Sequence, residues 1–170
     1  MRLYEPSVLD QIVLALIGEK PRHGFAVSKE LETDPSLSAV IRARRPLVYR
    51  SINSLVDAKL IRETKTEPGD QGSPRVVYAT TATGKSTTAK WLNDTVDHPR
   101  DARIELLAKF VLRNRRNLTN QQLAKRQKKL FENQAAKLQV STNLATDDVR
   151  LVSLWRVETI NAMIRLLEAV

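Results

Sequence analysis

The sequence predicts a mainly α-helical fold broken by one short β-hairpin, and three observations carry that reading. First, a basic segment beginning at Arg42 places Val48, Ile52, Leu55 and Val56 on one helical face and Tyr49, Arg50, Asn53 and Ser54 on the other. Second, two alternating stretches, 60–65 and 75–80, follow that helix and flank a Gly/Pro-rich tip at 67–74. Third, every other apolar run recurs at the helical period of 3.6 rather than the strand period of 2. A basic helix backed by a hairpin is the outline of a winged helix-turn-helix, a DNA-binding unit. We assign it residues 1–95, and residues 96–170 to an α-helical dimerisation domain that could also sense a ligand.

Ser7 can cap a first helix over 8–17, whose apolar surface is too broad for anything but a buried helix. Residues 18–24 read as a turn, with His23 structural in it, and a second helix spans about 25–32 until Pro35 ends it. The DNA-reading helix starts near Pro46, whose missing N–H is harmless in a first turn. A fourth helix opens at Thr81 and runs to about Asn93, and the stretch 94–101, with Pro99, reads as the domain boundary. A short helix follows, with Ile104, Leu107, Ala108 and Val111 on its apolar face and Leu106 and Phe110 beside it. Thr119 and Gln122 have the spacing of a capping box for a long polar helix reaching about Gln139. The basic residues between Glu105 and Glu132, among them Lys109, Arg113, Arg115 and Arg116, read as a solvated face. Thr146 followed by Asp147 and Asp148 suits a helix start, and the final helix runs from there to the C-terminus. Its apolar positions exceed one stripe, which points to a homodimer interface.

The chain carries 28 Lys plus Arg against 19 acids, a net charge of +9, so a polyanionic partner is expected. The outward Arg42, Arg44, Arg45, Lys65 and Arg75, with Lys29, are placed to neutralise phosphates, and Tyr49 can add a hydroxyl donor. Arg50 and Asn53 are placed to read base edges, because both side chains can make paired hydrogen bonds there. The partner is therefore double-stranded DNA, and a dimer would read a palindromic operator. Cysteine is absent and the two histidines are far apart, so neither disulfide nor metal site is expected, and no cofactor. Gly84-Lys85-Ser86 echoes a phosphate-binding loop, but Ala79 stands where the earlier glycine is required. No Gly-x-Ser-x-Gly elbow is present, and an enzyme is not expected. No apolar run is long enough for a membrane span and no signal segment opens the chain; a cytoplasmic protein is expected. At the boundary, His98 and Arg103 could anchor a small acid between Trp91, Leu107 and Trp155. A protein-interaction module that does not read DNA is the alternative, and the arginine cluster argues against it.

Three stretches together resemble the PadR family of bacterial transcriptional regulators: residues 12–31, 48–61 and 77–84. The resemblance is good over 8–93 and beyond that is one of length and helical character. It implies a homodimeric repressor of a nearby operon, released by a small molecule, or a repressor that needs no ligand. The founding members respond to phenolic acids, and that effector class is implied here by resemblance alone. MarR-type regulators are the nearest alternative architecture, but they place more helix before the DNA-reading unit. Two positions depart from the family pattern: Lys59, where glycine usually ends the recognition helix, and Phe25, where tyrosine is common.

Overall fold

A computed structural model describes residues 4–69, 74–143 and 146–170, apart from the side chain of Asp147. The expected hairpin tip therefore falls partly outside the described residues. The elements are α1 (Val8–Glu19), β1 (Arg22–His23), α2 (Gly24–Thr33), α3 (Pro35–Val40), α4 (Arg45–Asp57), β2 (Ile61–Glu67), β3 (Arg75–Thr80), α5 (Ala82–Asn93), α6 (Pro99–Ala102), α7 (Glu105–Asn114), α8 (Gln121–Asn143) and α9 (Asp147–Glu168). The three strands form one antiparallel sheet in the order β1-β3-β2.

Helix α1 is the hub of the first half. A reciprocal cap starts it: Asp10 N–H donates to Ser7 Oγ at 3.2 Å, and Ser7 N–H donates to Asp10 Oδ2 at 2.9 Å. From Asp10 to Ile17 every residue is buried, so the helix is covered all round by α4, α5, β3 and α7. Such a run cannot keep one wet face, as its sequence implied.

Two differences from the sequence reading lie around α2. The expected turn contains a two-residue strand, β1, and His23 caps α2 by accepting the Ala26 N–H on Nδ1 at 3.1 Å. Pro35 does not simply end a helix; it begins α3. Asp34 Oδ1 accepts the N–H groups of Ser36 and Leu37, each at 2.9 Å, and proline is well tolerated at a first helical position. Lys59 keeps the turn that glycine usually makes. Its φ is 57°, with Leu60 N–H donating to Leu55 O and Lys59 N–H to Val56 O, a Schellman close of α4. Gly84 is demanded by a close approach, since a Cβ there would lie 2.0 Å from the Leu60 carbonyl oxygen.

Helix α7 also differs. Its buried face is Leu106, Ala108, Lys109, Phe110, Leu112 and Arg113, while Ile104 is exposed. The basic run is thus not a solvated face throughout. Lys109 is 1% exposed and Arg113 5%. Lys109 Nζ donates to the Asp94 carbonyl at 2.9 Å and pairs with Glu105 at 2.8 Å. Arg113 donates to the Leu92 and Thr119 carbonyls and to Asn93 and Asn120, closing the end of α5. Sequence periodicity counted these cations as wet because it cannot see their acceptors. The Thr119 box is also not formed: α8 begins at Gln121, and the Thr119 hydroxyl receives a long 3.4 Å contact from the Gln121 N–H in place of the Gln122 N–H.

Two apolar clusters result. The first joins α1, α2, α4 and α5 and draws in Ala108 and Leu112 of α7. The second gathers Val96, Leu106, Phe110, Leu123, Phe131, Ile160 and Leu167 around α8 and α9. Helix α7 contributes to both. The segment before it is stitched down as well, since the fully buried Gln127 accepts Val96 N–H at 2.7 Å and donates to Val96 O at 2.8 Å.

The strongest polar link between the halves is Arg115. Its guanidinium meets Glu19 at 2.8 Å, Glu30 at 2.6 Å and Asp34 at 2.7 Å, while Arg22 meets Glu19 and Glu30 from below at 3.3 and 3.5 Å. Removing one member of a buried pair costs roughly 3–5 kcal/mol. Arg115 is about a quarter exposed, and we expect Arg115→Ala to cost about 2 kcal/mol and lower Tm by roughly 4–8 °C. A thermal melt unchanged by that substitution would remove the cluster as a structural link.

Candidate nucleic-acid interface

Helix α4 presents its outer face because its inner one is committed. Val48, Ser51, Ile52 and Leu55 are buried, chiefly against α1, whereas Tyr49, Arg50 and Asn53 are exposed. A second carboxylate contact fixes the helix. Asp10 is 8% exposed, accepts a hydrogen bond from Tyr4 at 3.0 Å and has the Ser51 hydroxyl of α4 nearby. Burial pushes the Asp10 carboxyl up, but the bonds from Ser51, Ser7 and Tyr4 outweigh it and hold its pKa below the ordinary value. Burial raises the Tyr4 phenol, and Asp10 adds to that.

The charge distribution separates two kinds of cation. Arg42, Arg44, Arg45 and Arg50 are exposed and form no ion pair among the described residues. By contrast, Arg113, Arg115 and Arg116 of the second basic run are tied to protein acceptors. Arg116 donates to the Ala15 carbonyl at 2.7 Å, and burial holds its pKa below that of a free guanidinium. Arg42, Arg44 and Arg45 share a cleft of about 880 Å³ with Ser28, Leu31 and Glu32 of α2, on the side where α2 and α4 meet. Helix α4 begins at that cleft with no side-chain cap.

Lys29 is exposed on α2. Lys65 is exposed on β2 but paired with Glu67 at 2.7 Å, and that hydrogen bond holds the Glu67 carboxyl below its usual pKa. Arg75, opposite Glu67 in the β2–β3 register, is half-buried with its guanidinium over the Phe25 ring. Tyr49 packs beside the start of α2: a Cβ on Gly24 would lie 2.8 Å from its Cε1. Phe25 entered the sequence reading only as a departure from the family's tyrosine, not as a site residue. A lone phenylalanine early in a helix carries no signal of the two arginines that meet it in space.

The expected ligand residues are only partly brought together. A cleft of about 750 Å³ between α6, α8 and α9 includes His98 and Trp155, with Arg100, Lys137, Arg156 and Ile160. Arg103 does not line it; it is exposed where α6 ends. Leu107 packs on the second core instead. Trp91 lies in the first core, donating its indole N–H to Glu105 at 3.0 Å beneath the Lys109 ammonium. Helical spacing placed these residues near the boundary but could not say which side of α7 each would face. Arg100, Lys137 and Arg156 had no motif to mark them, because the two cations on α8 and α9 meet only when those helices pair.

Among the described residues no group of His, Asp or Glu could hold a metal ion, and no helix is long and apolar enough to cross a membrane.

Residues 13–90 match the profile of the family described as "Transcriptional regulator PadR-like family". No curated protein matches the chain. Among solved structures, Bacillus subtilis PadR in complex with operator DNA is 19% identical, with 96% of each chain covered and a TM-score of 0.51. A second crystal structure of Bacillus subtilis PadR is 17% identical over 99% of this chain and 96% of that one, with a TM-score of 0.45. A PadR-like transcriptional regulator from Bacillus cereus is 16% identical over 99% and 97%, with a TM-score of 0.43. At 19% identity the likeness to the operator-bound Bacillus subtilis structure concerns the fold.

The Asp10 brace has a pH signature. A carboxyl whose folded pKa is depressed adds stability above its unfolded value of about 3.9, and that stability is lost as pH falls through the folded value. Asp10→Asn is therefore expected to lower stability at pH 7 and to flatten its decline between about pH 5 and 2. Urea melts across that range would show it; parallel wild-type and variant curves would contradict it.

Proposed function

We propose that this member of the PadR-like transcriptional regulators works as a homodimeric repressor, binding a palindromic operator through α4 and the β2–β3 wing. The observation that carries this is the set of exposed arginines at the start of α4, which form no ion pair among the described residues, next to an outward face of Tyr49, Arg50 and Asn53. Exposed cations that are not neutralised by an acid can replace condensed counterions on DNA. The operator complex formed by the Bacillus subtilis relative supports the same role for this fold. Arg42, Arg44, Arg45, Arg75, Lys65, Lys29 and Tyr49 would hold the backbone, while Arg50 and Asn53 would read bases.

A dimer is supported by α9. Leu151 is 72% exposed and Trp155 75%, with Val149, Val152 and Leu154 also exposed nearby. Water-facing apolar groups on one helix are covered when a second copy packs on them, and two recognition helices then stand about 34 Å apart. The protein would work in the cytoplasm, where its DNA is.

Release by a small aromatic acid would use the α6–α8–α9 cleft. Lys137 and Arg156 form no ion pair among the described residues and face an apolar lining that includes Leu138, Ile160 and the indole of Trp155. That combination suits a ring bearing a carboxylate. A ligand held by α9 can shift dimer geometry only by its difference in affinity for two arrangements.

Arg44→Ala is expected to weaken binding to specific and random duplex alike and to reduce the log–log salt slope by about one. Asn53→Ala is expected to reduce preference for the operator by roughly 1–3 kcal/mol while leaving the slope unchanged. A wild-type protein that binds no duplex at low salt would end the DNA reading.

For the effector, calorimetric titration with vanillate, ferulate and p-coumarate is expected to show binding lost in Arg156→Ala and kept in Arg103→Ala. No heat from any of the three would end the aromatic-acid assignment. Ending the chain at Thr146 is expected to yield a monomer in sedimentation; a full-length monomer at micromolar concentration would remove the dimer.

A further inference from the structure

The cleft between α2, α3 and the start of α4 contains a polar group that no contact within the chain uses. Ser28 of α2 lines it at 7% exposure, and the Ser28 hydroxyl has no hydrogen-bond partner among the described residues. A buried hydroxyl left in that state costs stability, and an ion or ligand that meets it removes the cost. Arg42 and Arg44 line the same cleft, are exposed and form no ion pair among the described residues. The cleft is also where α4 begins. That 13-residue helix has no side-chain cap, Pro46 carries no N–H, and the Leu47 N–H turns back to the Arg44 carbonyl at 2.9 Å. The Arg45 N–H is then a first-turn donor with no acceptor among the described residues. The Arg45 guanidinium is occupied by the Phe25 ring at 4.8 Å, so only its backbone is counted here. Among the lining residues Glu32 is the only acid, and it is exposed.

We propose that this cleft is a seat for a single phosphate group, with the Ser28 hydroxyl as its buried donor, the Arg45 N–H as its backbone donor and Arg42 and Arg44 as its countercharge. A serine side chain turns about one torsion and its proton turns freely, so the hydroxyl can be aimed at an anion without moving α2. The start of α4 adds the positive end of a helix dipole. Donors from one helix, from the backbone of another and from two guanidiniums approach from different directions. That suits a tetrahedral oxyanion better than a planar carboxylate, which one arginine can satisfy edge-on. Two guanidiniums exceed the one Glu32 carboxylate, so the lining stays net positive. Two sources supply this chemistry: a phosphodiester of the DNA backbone, or a free phosphate ion. The first rests on the DNA-binding reading above; the second does not, and a free ion in the seat would compete with a duplex for Arg42 and Arg44.

The Ser28 hydroxyl is neutral and unpartnered, which sets its variant apart from both an arginine variant and a structural one. Ser28→Ala removes an unsatisfied buried group, so it should keep or raise Tm while it weakens phosphate binding. It displaces no counterion, so it should leave the log–log salt slope of duplex binding unchanged, where Arg44→Ala lowers it by about one. Two arms read this. In the first, inorganic phosphate is titrated into the full chain at constant ionic strength against a chloride control, followed by amide proton–nitrogen spectra. We expect saturable shifts at the Ser28 and Arg45 amides at roughly millimolar phosphate, weakened about tenfold in Ser28→Ala. In the second, a fluorescein-labelled 30-bp duplex is read by anisotropy, and Ser28→Ala is expected to weaken it about tenfold at an unchanged slope.

A loss in the duplex arm identifies the DNA backbone as a source of the phosphate. A loss confined to inorganic phosphate supports the seat and identifies the free ion as its occupant. Unchanged binding in both arms would overturn the proposal. So would a lower Tm in Ser28→Ala and also in Ser28→Cys, because the hydroxyl would then already serve the fold. If Ser28→Ala does not fold, Ser28→Cys, which keeps the shape with a much weaker donor, takes its place in both arms. Failure of the wild type to bind any duplex would count against the DNA reading, and the phosphate titration would then decide the seat by itself.

Discussion

The ion cluster at Arg115 is the constraint on which the arrangement of this molecule depends. One guanidinium just beyond α7 meets carboxylates from α1, α2 and the α2–α3 junction, across sequence separations of 81 to 96 residues. Those bonds raise the Arg115 pKa further above its already high ordinary value, the contact with Glu19 most of all, so the cation is permanent. Arg22 completes the cluster from β1. Five charges in one place, three negative and two positive, suit an interface only partly open to water. The helices that carry α8 and α9 are thereby anchored to the same three elements that support the recognition helix.

That anchoring gives a physical route from the C-terminal helices to α4. Helix α7 packs its apolar residues into both clusters, and Arg113 closes α5 through the Leu92 carbonyl. Helix α1 touches both α7 and α4. A change in how two copies of α9 meet would reach α4 through packed helices and ion pairs rather than through a flexible tether. The Val96–Gln127 pair of hydrogen bonds stiffens the one segment that composition marked as a linker.

The net charge of +9 has two different uses in the folded chain. In the second half much of it is internal: Lys109 and Arg113 donate to carbonyls at the end of α5, and Arg115 and Arg116 reach across to α1. At the start of α4 the arginines have no acidic partner among the described residues and remain outward. Basic residues in the two regions therefore mean opposite things, stability in one and an outward field in the other.

Local chemistry determined a good deal. The Ser7 cap, the all-round apolar α1, Pro46 in the first turn of α4 and the Thr81 cap of α5 are each decided within a few residues, which is why the periodicity of the chain already outlined them. The third strand, from Arg75 to Thr80, was legible for the same reason. What only the tertiary structure decided is which polar groups find partners far along the chain. Lys109 and Arg113 became core residues because carbonyls of another helix lie within reach. Pro35 opened a helix because Asp34 was held to cap it. Arg103 and Trp91 do not line the cleft that His98 and Trp155 share, and Phe25 gained two arginines from α4 and β3. A sequence states the hydrogen-bonding capacity of each side chain, but the partner is chosen by distance in the folded chain, and distance is a property of packing.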